Sequence, residues 1–275
     1  VDLATGLVYW QKNIRDEFGA TSELVWGTCG SPLIADGKLI VNPGAPDASL
    51  VALDPLTGIA AWQTPGETAG YGSLITTTLG GKQQIVGHDR TTLGGWDIQT
   101  GTRLWTLKPP RDGDFNVPTP INVDGKLLVT TEGNGTRLYA FDSAGQIVAE
   151  PTAVQMKLAP DMSTPVVVEG KAYCVCQKLF CLDTADHLTE LWTLEDPALG
   201  DYAPIIADDK RLLVLGHGGE LLLVDITLPE PAITSRTFLF DDPETREAEL
   251  YCHPALVGNR LYVRSETSLA CFVLE

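Results

Sequence analysis

The stretch ALDPLTGIAAW, residues 52–62, decides the fold because it recurs. Clear copies are VDLATGLVYW at 1–10 and GWDIQTGTRLW at 95–105. Looser copies are AFDSAGQIVAE at 140–150, CLDTADHLTELW at 181–192 and LVDITLPEPAITSRTF at 223–238. The acidic anchors are Asp2, Asp54, Asp97, Asp142, Asp183 and Asp225, and from Asp54 onward they are spaced 43, 45, 41 and 42 residues apart. A fixed period of this length signals a repeat architecture.

A second phrase runs in step with the first. It reads GSPLIADGKLIV (30–41), PTPINVDGKLLV (118–129), STPVVVEGKAYCV (163–175), YAPIIADDKRLLV (202–214) and CHPALVGNRLYV (252–263), with a copy lacking Pro at 72–86. Each is an apolar run, a two-residue turn such as Asp36-Gly37 or Asp124-Gly125, and a second apolar run. Asp-Gly and Gly-Asn tolerate the positive φ of tight hairpins. One unit is therefore strand, tight turn, strand, loop, strand ending in Asp, Thr-Gly turn, and a fourth strand carrying Trp. Four antiparallel strands in about 43 residues make a propeller blade. No run shows the 3.6-residue periodicity of a helical solenoid.

The expected fold is all-β, a single β-propeller domain over 1–275 with blades near 26–67, 69–110, 114–154, 157–197, 199–240 and 246–275 plus 1–14. Glu275 stands where the repeat elsewhere has Asp, and Asp2 enters at the same position. Residues 1–14 are thus expected to supply the outer strand of the last blade and close a six-bladed ring. The alternative is that the chain is part of a propeller of seven or eight blades. A chain beginning at Val1 inside a repeat reads as a processed or truncated product.

Composition narrows the function classes. The formal net charge is −17, a field that repels nucleic-acid backbones and anionic membrane surfaces. No run reaches the length of a membrane-spanning helix. The four histidines, His88, His187, His217 and His253, have no metal-ligand spacing. Neither a nucleophile elbow nor a phosphate loop is present. GHGGE at 216–220 and EGNGT at 132–136 read as glycine-rich loops between strands, although Asn134 also fits the Asn-x-Thr glycosylation pattern. In YCVCQKLFCLD, a turn at Gln177-Lys178 sets Cys174 opposite Cys181, whereas a loop over Gln177–Phe180 sets Cys176 there. Buried free thiols and one cross-strand disulfide both remain open.

Ser/Thr-Pro before the inner strand, Asp-Gly-Lys at the first hairpin and Ala-Leu-Asp-x-x-Thr-Gly-x-x-x-Trp together resemble the pyrroloquinoline-quinone-like β-propeller repeat. The resemblance covers nearly the whole chain, best at 26–67 and 114–142. It implies that Trp10, Trp62, Trp105 and Trp192 lock one blade to its neighbour, a role that suits a side chain burying on the order of 200 Å². The family includes quinone-dependent dehydrogenases, which hold pyrroloquinoline quinone with calcium against a disulfide of adjacent cysteines. It also includes non-enzymatic members, among them a lipoprotein of the outer-membrane barrel-assembly machinery. This chain has no adjacent cysteine pair and none of the enzymes' catalytic residues can be carried over, so no cofactor is expected.

The resemblance therefore points to a non-catalytic binding or scaffold module, periplasmic or otherwise extracytoplasmic, with protein partners. The alternative is a relative or fragment of a quinone-dependent oxidoreductase using the quinone and calcium. Propellers bind through loops that lead into the innermost strands. Those loops carry Trp26, Tyr71, Asp114, Asn116, Asp161, Asp201, Tyr202, Glu249, Tyr251 and His253, a mix of carboxylates and aromatics suited to peptides or polar ligands. The carboxylates could also hold a calcium ion.

Overall fold

The computed structural model describes residues 1–2, 4–228, 230–240 and 249–274. Glu275 and residues 246–248 of the last expected blade lie outside them. The chain forms two compact units, Val1–Asp161 and Met162–Glu275.

The first unit holds three four-stranded antiparallel sheets. They are β1 (Leu33–Ala35), β2 (Lys38–Val41), β3 (Leu50–Leu53) and β4 (Ala60–Thr64); β5 (Ile75–Leu79), β6 (Lys82–His88), β7 (Leu93–Asp97) and β8 (Arg103–Leu107); and β9 (Ile121–Val123), β10 (Lys126–Thr131), β11 (Gly135–Tyr139) and β12 (Ala153–Gln155). The second unit holds β13 (Val166–Val168), β14 (Lys171–Val175), β15 (Leu179–Asp183) and β16 (Thr189–Leu194), then β17 (Ile205–Ala207), β18 (Arg211–Leu215), β19 (Glu220–Asp225) and β20 (Ala232–Phe238). Its last sheet has three strands, β21 (Ala255–Val257), β22 (Arg260–Arg264) and β23 (Leu269–Val273). Strands follow chain order across every sheet, as in propeller blades. The fold is a six-bladed β-propeller.

Turn chemistry sets the first hairpin of most blades. Ala35 pairs with Lys38 around Asp36 and Gly37, whose φ values are 49° and 69°. Asp124-Gly125, Glu169-Gly170 and Gly80-Gly81 repeat that left-handed pair. The fifth blade departs from the expected two-residue turn. Ala207 pairs with Leu212, and the 208–211 loop closes by Asp208 N–H donating to the Arg211 carbonyl. Asp208-Asp209 offers no glycine for the second left-handed position, so the longer loop forms instead.

In the first five sheets the third strand leads into the Asp turn. Asp54 Oδ1 accepts from the backbone of Leu56 and Thr57 and from Thr57 Oγ1, and Gly58 closes the turn at φ 68°. Asp2 and Asp97 accept the same three bonds in their own turns. Bonds from Thr5 and Tyr9 hold the Asp2 carboxyl down at about 2. A feature the sequence does not announce sits just before the turn. The register slips at Ala52/Leu53, Gly95/Trp96, Cys181/Leu182 and Leu223/Val224, a β-bulge in four of the six blades.

Two of the tryptophans rest on the turn of the next repeat, and two pack between sheets. Trp10 covers Gly58 and donates its indole N–H to the Pro55 carbonyl at 2.9 Å. Trp62 covers Gly101 and packs with the core shared by the first two sheets, including Ile40, Leu50, Ile85 and Trp96. Trp105 joins Leu79, Val86, Leu127, Val129 and Tyr139 between the second and third sheets. In the second unit, Trp192 packs against the core of the fourth and fifth sheets, built by Val175, Leu179, Ile205 and Leu222. Gly101 sits at φ 72°, and a Cβ there would lie 2.4 Å from the Trp62 ring. Gly101→Ala should therefore destabilise the protein by about 1–3 kcal/mol in urea unfolding.

No strand is described before Ile14, so the outer strand expected from residues 1–14 is not seen as pairing among the described residues. Asp2 N–H bonds to the Leu7 carbonyl within its own turn, and Trp10 goes to the first blade. The cysteine segment takes neither expected register. Cys176 N–H donates to the Lys178 carbonyl around Gln177 at φ 61°, which places Cys181 opposite Tyr173 and Cys174 opposite Phe180. With a turn this tight the sulfurs do not face one another, and all six cysteines are free.

Candidate functional site

In the first unit, the loops leading into β1, β5 and β9 bring Trp26 and Tyr71 together. Their ring centroids lie 5.2 Å apart at 67°. Phe115, which the sequence reading did not single out, completes the group 4.7 Å from Trp26 at 84°. Such edge-to-face contacts are the preferred geometry of aromatic pairs. Yet the cluster is not a core. Trp26 is 57% exposed, Phe115 48% and neighbouring Val25 75%.

Three local devices aim these loops. Asn13 caps the short helix α1 (Ile14–Glu17), accepting from Arg15 and Asp16, and Arg15 in turn donates to the Ser22 carbonyl just before the Val25–Trp26 segment. Asn116 takes a left-handed φ of 58°, which Asn tolerates, and its side-chain amide donates to the Arg90 carbonyl at 3.1 Å. Its own carbonyl accepts from Gly72 at 2.8 Å, tying the Tyr71 loop to the Phe115 loop. The third device is the 132–134 loop. Asp114 accepts from Gly133 N–H and Asn134 Nδ2, while Asn134 also bonds both backbone groups of Arg111.

Asp114 and Asn116 are thus buried positioning residues beneath the cluster rather than part of an exposed rim. The amide of Asn134 is buried and fully engaged, so the glycosylation pattern falls on an inaccessible side chain. Glu132 accepts from Phe115 N–H at 2.5 Å. Burial, together with the charges of Asp114 and Asp161, holds its carboxyl above the usual carboxylate range against that bond. Asp161 itself is exposed and not in the aromatic cluster.

Beside Trp26 the loops enclose a cavity of about 250 Å³. Glu23, Asp112, Asp114 and Arg90 line it with the aromatic rings. A second void of about 10 Å³, the size of one water, shares Thr91, Pro109 and Asn116 with it. His88 and Arg137 line that void. Burial first, and then the Arg137 guanidinium, lower the His88 imidazole to about 4 against the opposing charges of Asp89 and Asp114.

The second unit gathers a separate group. Tyr202 and Tyr251 lie 6.2 Å apart, and His217 lies 4.7 Å from Tyr251. Glu249 approaches His217 Nε2 at 4.0 Å. Burial pushes the Tyr202 hydroxyl up to about 12. Asp201 is used locally, accepting from Tyr202 N–H, and His253 Nδ1 faces the Pro254 carbonyl at 3.3 Å. GHGGE is a hairpin loop, as expected, with Gly219 N–H donating to the Gly216 carbonyl. Its His217 nonetheless belongs with the tyrosines. Among the described residues, no three His, Cys, Asp or Glu side chains are grouped to hold a metal ion.

The family profile of outer membrane protein assembly factor BamB matches residues 1–117 and 97–273. The chain belongs to the BamB family. Among solved structures, BamB from Moraxella catarrhalis is similar over 91% of this chain and 73% of its own, with 18% identity and a TM-score of 0.64. A chain of the mitotic checkpoint complex shares the fold at 11% identity and a TM-score of 0.66, covering 89% of this chain and 74% of that one. The computationally designed Ika8 protein does so at 12% and 0.63, over 89% and 70%. All three likenesses, each under 25% identical, concern the propeller fold alone. No curated protein matches the chain. Among the described residues of this BamB-family chain, no helix is long and apolar enough to cross a membrane.

Proposed function

We propose that the chain is a non-catalytic protein-interaction scaffold of the cell envelope, docking a partner through the loop face of its first unit around Trp26. One observation carries the assignment of the face. Two aromatic rings, Trp26 and Phe115, remain exposed beside a cavity while packing edge to face, with half-buried Tyr71 against Trp26, where a monomer's surface has no need of them. Exposed aromatic side chains on a preorganised surface are enriched in protein interfaces, with Trp foremost among the residues that carry binding energy. The BamB family supplies the context: outer membrane protein assembly, and hence a periplasmic or otherwise extracytoplasmic setting. The chain's own net charge of −17 favours a partner surface that is basic or neutral over nucleic acid. We assign it no cofactor.

The test is capture of partners from solubilised envelopes on immobilised protein, wild type against the Trp26→Ala/Phe115→Ala double variant. The variant is expected to lose about tenfold or more of a specifically retained partner, since interface aromatics carry a large share of binding energy. Its unfolding midpoint should hardly move, because both side chains are exposed. Undiminished retention by the double variant would overturn the assignment of this face.

A further inference from the structure

We infer that the cavity beside Trp26 receives the cationic head of a lysine or arginine side chain presented by the docked partner. The inference rests on the docking role given above and names the chemistry that the face selects. Its volume, about 250 Å³, falls below the roughly 300–1,000 Å³ of small-molecule sites and is on the scale of one long side chain. The walls suit an alkyl stem and a positive head. Trp26, Tyr71 and Phe115 meet at steep angles, so a ring face as well as ring edges is available to a group entering between them. A cation over such a face is attracted by the ring quadrupole, most strongly at Trp.

Charge on the walls points the same way. Glu23, Asp112 and Asp114 line the cavity against a single guanidinium, that of Arg90. Asp114 spends its oxygens on Gly133 and Asn134, which lowers its hydrogen-bonding capacity but leaves its negative field in place. Behind the Phe115 backbone, the half-buried Glu132 is disfavoured as an anion by desolvation first and then by the charges of Asp114 and Asp161. A carboxylate group so crowded by its own kind is relieved by an arriving cation and burdened by an arriving anion. Arg90 is the feature that opposes the assignment, and it provides the sharpest test. If the cavity takes cations, Arg90 weakens binding; if it takes anions, Arg90 is the anchor.

The experiment uses the full chain labelled with ¹⁵N and follows the Trp26 indole N–H by NMR, assigned through Trp26→Phe. N-acetyl-argininamide is titrated at constant ionic strength against N-acetyl-citrullinamide, its neutral isostere, and N-acetyl-leucinamide. The argininamide should give a saturable shift at Trp26 with about fivefold or more higher affinity than the citrulline analogue. Asp112→Asn should weaken it and Arg90→Ala should strengthen it, each by about two- to fivefold. Equal affinity for citrulline, no saturable shift, or weakening by Arg90→Ala would each overturn the cation assignment. Partner capture separates this from the wider reading. Should capture depend on Trp26 while argininamide fails, the cation assignment falls and the docking face stands. Should argininamide bind as expected while capture ignores Trp26, the cavity is a cation site and the docking reading falls.

Discussion

Trp105→Ala should cost about 3–5 kcal/mol of stability, the largest loss expected from any of the four docking tryptophans in the repeat. Trp105 is 6% exposed, while Trp10, Trp62 and Trp192 are only half-buried. Its ring fills the space between the second and third sheets and lies 5.4 Å from Phe141. Its indole N–H donates to Gln84 Oε1 at 2.6 Å, and Gln84 Nε2 passes on to the Gly145 carbonyl. The tryptophan thereby reaches the Asp142–Gly145 turn of the following repeat through a buried amide. Trp105→Phe keeps much of the packing but leaves Gln84 Oε1 without its donor, at a cost of about 1–3 kcal/mol. Urea denaturation should rank wild type above Trp105→Phe and Trp105→Ala last. Equal stability of wild type and Trp105→Ala would remove the basis for inter-blade locking by this residue.

Stability should also fall steeply in mild acid because of His88. The imidazole is fully buried and titrates at about 4 in the folded chain, against about 6.5 when unfolded. The unfolded chain therefore takes up the proton first as the pH drops. The contribution is complete above about pH 6.5 and is lost between there and about pH 4, amounting to about 3 kcal/mol. His88→Leu should flatten this part of the profile while the carboxylates continue to act at lower pH. The measurement is the urea midpoint of both proteins across the range. A wild-type profile parallel to that of His88→Leu would show that His88 is not neutral in the folded chain.

The architecture was legible because it rests on local chemistry that repeats. Asp-Gly marks a left-handed pair at 36–37 and again at 124–125, and Asp-x-x-Thr-Gly writes the same closed turn at Asp2, Asp54 and Asp97. Where the local chemistry thins, the reading thins with it. The Asp208-Asp209 turn lengthens for want of glycine, and the cysteine hairpin tightens around Gln177. The β-bulges before the Asp turns leave no mark in composition, because the extra residue is absorbed by ordinary strand residues.

The candidate site was legible only in part. Trp26 and Tyr71 stood out as aromatics on loops, yet Phe115 is brought to them by Asn116 and Glu132 across sequence distances that no periodicity encodes. Asp114 and Asn116 carry polar side chains typical of a rim, but both turn inward to hold loops. His217 lies in a glycine-rich hairpin whose backbone reading was right and whose side chain belongs with Tyr251. Contacts between loops of successive blades are set by tertiary packing, so a repeat can fix where loops emerge without fixing which side chains meet.

The most direct test of the docking face is site-specific photo-crosslinking in living cells. A photoreactive phenylalanine analogue at Val25, beside Trp26, is compared with one at Ile59, also well exposed and just after the Thr57-Gly58 turn. A discrete protein adduct is expected from position 25, lost when Trp26→Ala is added, and none from position 59. No adduct at position 25, or one that survives Trp26→Ala unchanged, would contradict the docking face.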